Sequence, residues 1–231
     1  MDIPIDVSTA VLKTERLILR AFAESDLADL YAYASVPGVG EMAGWPHHES
    51  IGASERILRS FIEEKEVFAL YHKADRRVIG SLGLHKSWAN EDDAYKGLKV
   101  KEIGYVLAKS YWGQGLIPEA VSAVIKYGFN TLGLEAFTCG HFSENSQSRR
   151  VIEKTGFQFV RQSEYYAKQL QRSFEDMKYI LFKEARDTNP LANFDITEAH
   201  NCRVVLETKT VDGLQKSVEW LKNRVRLNGY D

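Results

Sequence analysis

The chain has 231 residues, of which 44% are hydrophobic and 27% charged. That balance excludes wholesale disorder and suits one full domain with an appendage, or two small domains. Thirty basic against thirty-two acidic residues leave a formal charge of -2, so there is no global electrostatic drive toward nucleic acid or an acidic membrane.

In chain order, residues 1–12 read as a loose leader. Leu12 to Arg20 carries a strand signal, with Leu17 and Leu19 on one face and Ile18 and Arg20 on the other. Glu24 to Ala34 reads as a helix, since Leu27, Leu30, Tyr31 and Ala34 recur at three and four. A polar and aromatic loop, Glu41 to His48, leads to a second helix over Ile51 to Lys65, which should bury Ile57, Leu58, Phe61 and Ile62. Val67–Tyr71 and Arg77–Leu84 form a hairpin around Ala74-Asp75. Lys101 to Ala108 is a further strand, with Ile103, Tyr105 and Leu107 alternating against Glu102, Gly104 and Val106.

A long helix follows from Pro118 to Leu132, because proline suits a first turn. Then come a strand over Ala136–His141, a short helix over Ser148–Lys154 stopped at Gly156, and strands at Phe157–Val160 and Met177–Phe182. The order β-α-α-β-β-β-α-β-α-β-β mixes crossovers with hairpins, which predicts an α/β fold on a mixed sheet rather than a doubly wound one. Asp187-Thr188-Asn189-Pro190 signals a linker. The organisation expected is a domain over 13–186 and a C-terminal extension over 187–231, holding a strand at Val204–Leu206 and a helical stripe from Leu214 to Val225.

Cys139 and Cys202 show no Cys-x-x-Cys spacing and read as free thiols in a reducing compartment. No apolar run approaches the roughly 18 residues that span a bilayer, and no basic-then-apolar leader opens the chain. A cytoplasmic protein with no membrane or nucleic-acid partner is therefore expected.

The chemistry concentrates in Tyr111-Trp112-Gly113-Gln114-Gly115-Leu116-Ile117-Pro118-Glu119-Ala120. Two glycines between a strand and a long helix allow a tight turn, and a helix start offers unpaired amides. Such a turn is either an anion site for phosphate or pyrophosphate, or a plain connection. It is not a Walker motif and lacks the Gly-x-Gly-x-x-Gly spacing.

Four blocks in order carry a resemblance: Thr14 to Arg20, Glu102 to Leu107, Tyr111 to Ala120, and Asn145 to Ser148 with Glu153 to Phe157. Over residues 13–184 the chain resembles the GNAT superfamily of N-acetyltransferases, most nearly the branch that acetylates ribosomal-protein N-termini. The resemblance implies the GNAT fold, acetyl-CoA as acyl donor, no metal, and a primary amine as acceptor: a protein N-terminus, an amino acid or a small amine. It also makes a homodimer plausible.

Residue by residue, it implies that Trp112, Gly113, Gln114, Gly115, Leu116 and Ile117 form the pyrophosphate loop. Val106 and Leu107 would bond the pantetheine arm, and Asn145 would touch it after the fifth strand. Ser148 would meet either the thiol end or the 3′-phosphate side of the cofactor. Relatives carry a tyrosine acid seven residues beyond this asparagine, where Ile152 stands here.

An amine must be neutral to attack a thioester, so a base helps. Glu102 resembles the carboxylate often found on the fourth strand, and is either that base or an ordinary strand carboxylate. Ser148 is the second catalytic candidate, as a hydrogen-bond donor to the leaving sulfur. Tyr105 is a weaker one, because alternation sets it on the other face from Glu102. Cys139 reads as a small core residue, with acylation kept open by His141 two residues on.

Glu41, Trp45, His47 and His48 form either an acceptor wall or a loop pinned by Trp45, with Tyr165 and Tyr166 as a second rim in the loop before the last strand. Adjacent His47 and His48 make a poor metal site. One of Arg149 and Arg150 could pair with an adenosine-side phosphate, Arg149 being the residue expected to do so. The competing function is a non-catalytic acyl-CoA sensor or protein-interaction module.

Overall fold

The computed structural model describes residues 1–183, the first of two units into which the chain divides. The linker signal, the strand and helix expected beyond it, and Cys202 lie outside the described residues. The strands are β1 (Leu12–Lys13), β2 (Leu17–Ala21), β3 (Val67–His72), β4 (Arg77–Lys86), β5 (Val100–Leu107), β6 (Ala136–Phe142), β7 (Gln158–Ala167) and β8 (Arg172–Phe182). The α-helices are α1 (Leu27–Ala34), α2 (Ile51–Glu64), α3 (Leu116–Asn130) and α4 (Ser146–Lys154). The strands form one mixed sheet in the order β1-β2-β3-β4-β5-β6-β8-β7. Every neighbouring pair is antiparallel except β5 and β6.

Period-2 alternation sorts the sheet residues onto two faces. Leu17, Leu19, Phe68, Leu82, Ile103 and Leu107 pack against Leu116, Val121, Val124 and Ile125 of α3 and Ile152 of α4. Val67, Ala69 and Val78 point the other way, onto Leu30 of α1 and Leu58 of α2. Ile57, Phe61 and Ile62 of α2 are half-buried, so Leu58 alone of the four expected residues is fully inside.

Four local expectations change. The first strand signal breaks into a hairpin at Thr14-Glu15-Arg16, because the Thr14 amide donates to the Leu17 carbonyl and the Leu17 amide returns a bond to Thr14 Oγ1. The leader is not loose. Ile5 and Val7 are buried in the main core, and the Val7 amide donates to the Lys65 carbonyl. Asp2 joins Glu66 in pairing Lys101, a lysine only 1% exposed. Helix α3 begins at Leu116, two residues before Pro118, since Gly115 at φ +75° serves as its N-cap. Finally, β7 extends to Ala167, so Tyr165 and Tyr166 stand on an edge strand and not in a loop. Most of β7 is exposed on both faces, so its sequence carries no apolar alternation to reveal it.

The feature that opens the sheet is the parting of β5 from β6. The parallel pair is registered only at Val100–Ala136, Lys101–Phe137 and Glu102–Thr138. Ile103 to Leu107 continue against β4 alone, so their backbone groups toward β6 have no strand partner there.

Candidate active site

A cleft of about 760 Å³ opens where the two strands part. It is lined by β5 from Glu102 to Leu107, the glycine turn ahead of α3, β6 from Cys139 to Phe142, and the start of α4.

The glycine turn is built by strain that only glycine tolerates cheaply. Gly113 and Gly115 sit at φ +77° and +75°, in the left-handed region. The N-cap of α3 makes no side-chain capping bond, and Pro118 has no amide hydrogen. The amides at this helix start are therefore left for another acceptor. Trp112, Gly113, Gly115, Leu116 and Ile117 all line the cleft, whereas Gln114 does not. The Gln114 side chain turns back to the Ser110 carbonyl at 3.0 Å, and its carbonyl accepts from Arg16 at 2.8 Å. The Trp112 indole N–H donates to the Leu107 carbonyl at 2.7 Å, so that strand oxygen is already engaged. Val106 and Leu107 both line the cleft.

Glu119, in the first turn of α3, braces this turn. It accepts from Thr14 Oγ1, from the Arg16 amide at 2.8 Å and from Arg16 Nε at 2.7 Å. Burial works against its charge, but the Thr14 and Arg16 donors more than offset this and hold its pKa below the ordinary value.

At the far wall, Asn145 caps α4 by accepting from the Ser148 amide at 3.0 Å, and its side-chain amide reaches the Met42 carbonyl at 3.4 Å. Ser148 is 8% exposed, with its Oγ 2.7 Å from the Tyr105 phenol oxygen. Ile152 is 1% exposed within the main core and offers no polar group. Arg149 turns away from the cleft to bond Glu153 at 2.8 Å. Arg150 lines the cleft instead, as does Lys154 one turn on. Of the two arginines expected beside the cofactor, Arg150 and not Arg149 lines the cleft, because the cleft lies along the 147-150-151-154 face of α4.

The opposite sheet face carries the carboxylates. Thr138 Oγ1 donates to Glu102 Oε2 at 3.1 Å and lies 2.7 Å from Ser87 Oγ. Burial raises the Glu102 pKa; the Thr138 bond pulls it down and the nearby Asp176 charge adds to the rise. Asp176 on β8 also lines the cleft and is likewise raised by burial, with Lys178 acting against the shift. His85, directly across from Glu102 on β4, completes this side. A Cβ at Gly83 would lie 2.2 Å from the His85 ring, so the missing side chain is what lets the imidazole lie along the strand. Desolvation lowers the His85 pKa, leaving the ring neutral at pH 7.

The expected acceptor loop is only partly at the site. Glu41, Trp45, His47 and His48 do not line the cleft, whereas Val39, Met42, Ala43 and Tyr165 do. Glu41 is engaged in holding its own loop. Burial opposes its charge, but bonds from His47 Nδ1 and from the His47 and Gly38 amides hold the carboxyl down at about 2. Trp45 packs on the α1–α2 core, and His48 bonds Ser54 Oγ. Tyr165 stacks 5.8 Å from Phe142, itself 4.1 Å from Phe174.

Cys139 shares a face with His141, yet burial pushes its thiol pKa far up. His141 is committed to the Phe142 carbonyl and the Tyr179 hydroxyl. Nothing there activates a sulfur nucleophile. Among the described residues no group of three or more His, Cys, Asp or Glu gathers as a metal set, and no helix is long and apolar enough to cross a membrane.

Sequence reasoning missed His85, Asp176 and Lys154 as cleft-lining residues and left Arg150 as the alternative to Arg149. A signal existed for the basic pair, since 150 and 154 lie one helical turn apart. For Asp176 none existed, because its strand pairing alone brings it to the cleft.

Comparison with known proteins agrees with this geometry. A family model described as an acetyltransferase (GNAT) domain matches residues 16–158. The uncharacterized N-acetyltransferase YoaA of Bacillus subtilis (strain 168) is 29% identical over 153 residues, covering 64% of this chain and 82% of that protein. Among solved structures, a GNAT-family acetyltransferase from Bacillus anthracis superposes with a TM-score of 0.66 at 22% identity, over 75% of this chain and 99% of that one. Mycobacterium smegmatis RimJ in complex with CoA-disulfide superposes with a TM-score of 0.60 at 17% identity, over 76% and 88% of the two chains.

Proposed function

The chain belongs to the GNAT acetyltransferase family, and on that premise we propose that it transfers acetyl from acetyl-CoA to a primary amine in a ternary complex. The acceptor class is a protein N-terminus, an amino acid or a small amine. One observation carries this reading. The cleft passes between the parted strands, with Glu102 on one sheet face and Ser148 reached from the other. A base and a leaving-group donor can then work on opposite sides of one carbon.

The residues suit an acyl-CoA. The glycine turn presents uncapped amides for a pyrophosphate. Arg150 and Lys154 add positive charge to the same cleft, and the unpartnered edge of β5 offers backbone groups to an amide-bearing arm. Bound there, the thioester supplies an activated acetyl carbonyl. The RimJ structure with a CoA-disulfide supports the same placement by analogy of fold.

Glu102 accepts a proton from the incoming ammonium, directly or through a water. Backbone amides of β5 beyond Glu102 polarise the acetyl oxygen. The amine nitrogen bonds to the acetyl carbon, the carbon–sulfur bond breaks, and the sulfur keeps the electron pair beside Ser148. The net products are an amide, a thiol and one proton released from the original ammonium.

The test is amine-dependent release of coenzyme A thiol across a panel of peptides, amino acids and small amines. Thiol release with at least one amine supports transfer. Absence of acetyl-CoA binding by calorimetry would sink it. The second reading, an acyl-CoA sensor, rests on Ile152, which fills the core at the position where the resemblance implies a tyrosine. Tight binding with no turnover on any amine favours that reading.

A further inference from the structure

Tyr105 is a polar group of the cleft that the transfer reading leaves unused and that touches a residue the reading does use. Its position looked unhelpful because residues 102 and 105 face opposite sides of the sheet. That opposition is what takes the phenol to α4. Its oxygen lies 2.7 Å from Ser148 Oγ and 3.3 Å from the Ser148 carbonyl oxygen. Ser148 is anchored through its own amide on Asn145 Oδ1. What remains variable is the direction of two hydroxyl protons.

A serine hydroxyl has one proton and two acceptor lone pairs, and so has a phenol. Two arrangements satisfy the pair. In one, Ser148 donates to the phenol oxygen and the phenol donates to the Ser148 carbonyl, leaving no proton for the cleft. In the other, Tyr105 donates to Ser148 Oγ, and the serine proton is free to point at a ligand. Burial raises the phenol pKa well above the ordinary value, so Tyr105 keeps its proton and acts as a donor, not as an acid that gives it up. The Cys139 thiol beside it is also pushed up by burial and stays uncharged. A neutral pair whose proton direction responds to charge favours the second arrangement once an anion forms in front of it.

Resting on the acetyl-transfer reading above, we infer that Tyr105 is a positioning residue whose O–H, given to Ser148 Oγ, aims the serine proton at the departing sulfur. As the carbon–sulfur bond breaks, the sulfur retains the electron pair and accepts this hydrogen bond. The proton that completes the thiol comes from the amine by way of solvent, so neither Tyr105 nor Ser148 ends the cycle ionised. Ile152, one turn along α4 and buried in the core, has no hydroxyl that could do this.

The test is a double-mutant cycle on the full chain with acetyl-CoA and an accepted amine. Y105F keeps the ring and removes the donor. It should lower kcat roughly three- to tenfold, the scale of one hydrogen bond, with KM for acetyl-CoA unchanged within about twofold. S148A should lower kcat at least as much, and the double variant should match S148A alone. Replacing Tyr105 by 3-fluorotyrosine, which keeps both shape and O–H, should retain the parent kcat, and it serves if Y105F folds poorly. Equal kcat for parent and Y105F, additive losses in the double variant, or a 3-fluorotyrosine protein as slow as Y105F would each overturn the inference. An S148A protein slowed while Y105F is not leaves the transfer reading standing and removes only Tyr105. A protein that turns over with no amine removes both.

Discussion

Replacing Glu119 with alanine should uncouple the glycine turn from the β1–β2 hairpin. The carboxylate holds Thr14 and three Arg16 donors, and Arg16 passes the restraint on by donating to the Gln114 carbonyl at 2.8 Å. A shielded hydrogen bond to a charged group is worth about 1.5–3 kcal/mol, an exposed ion pair about 0–1 kcal/mol. Glu119 is 17% exposed but Arg16 is 40% exposed, so the contacts to Arg16 together should contribute roughly 2–3 kcal/mol to folding. For a domain of this size that is a fall in Tm of roughly 5–10 °C. Only the bond to the Gln114 carbonyl reaches the turn. At about 1 kcal/mol it converts to roughly a fivefold weaker Kd for coenzyme A. Thermal melts and calorimetry with coenzyme A measure the two effects separately. An unchanged Tm would refute the energetic assignment. A lowered Tm with Kd unchanged within twofold would show that the turn holds its shape without the brace.

Glu102→Gln should cost roughly 100-fold in kcat, the scale of general base assistance, and abolish the acidic limb of kcat/KM expected of the parent above the ordinary carboxylate value of 4.5. The same change should raise Tm at pH 8 and leave it unchanged at pH 4. A carboxyl whose folded pKa is raised destabilises the fold increasingly as pH rises from its unfolded value through its folded one, and glutamine removes that cost. Gly115→Ala puts a Cβ at φ +75° and should cost about 1–2 kcal/mol, read as a lower Tm and weaker coenzyme A binding. Removing Arg150 and Lys154 together should weaken coenzyme A binding and flatten its salt dependence. Arg149→Ala should leave both unchanged, and an equal effect would return Arg149 to the site.

The element order was legible because apolar periodicity reports burial of one face, and burial on one face is what a two-layer core requires. The glycine turn was legible because two left-handed backbone positions need glycine. Residues chosen by chemical type alone fared differently. Glu41 and His47 look like acceptor groups in the sequence, but each satisfies the other within a loop. Arg149 and Arg150 are indistinguishable in sequence, and only the orientation of α4 turns one to Glu153 and the other to the cleft. Strand β7 reads as short in the sequence because an exposed edge strand needs no apolar face.

Local order, the glycine turn and the family follow from the sequence by itself, since each rests on backbone preference or on spacing within a short stretch. The cleft and its contents were decided by tertiary structure. Glu102 meets Thr138, Tyr105 meets Ser148 and Asp176 reaches the same opening because β5 and β6 pair for three residues and then part. No short stretch of sequence encodes that parting. It sets the distance between groups far apart in the chain, and such distances arise only when the whole sheet is packed.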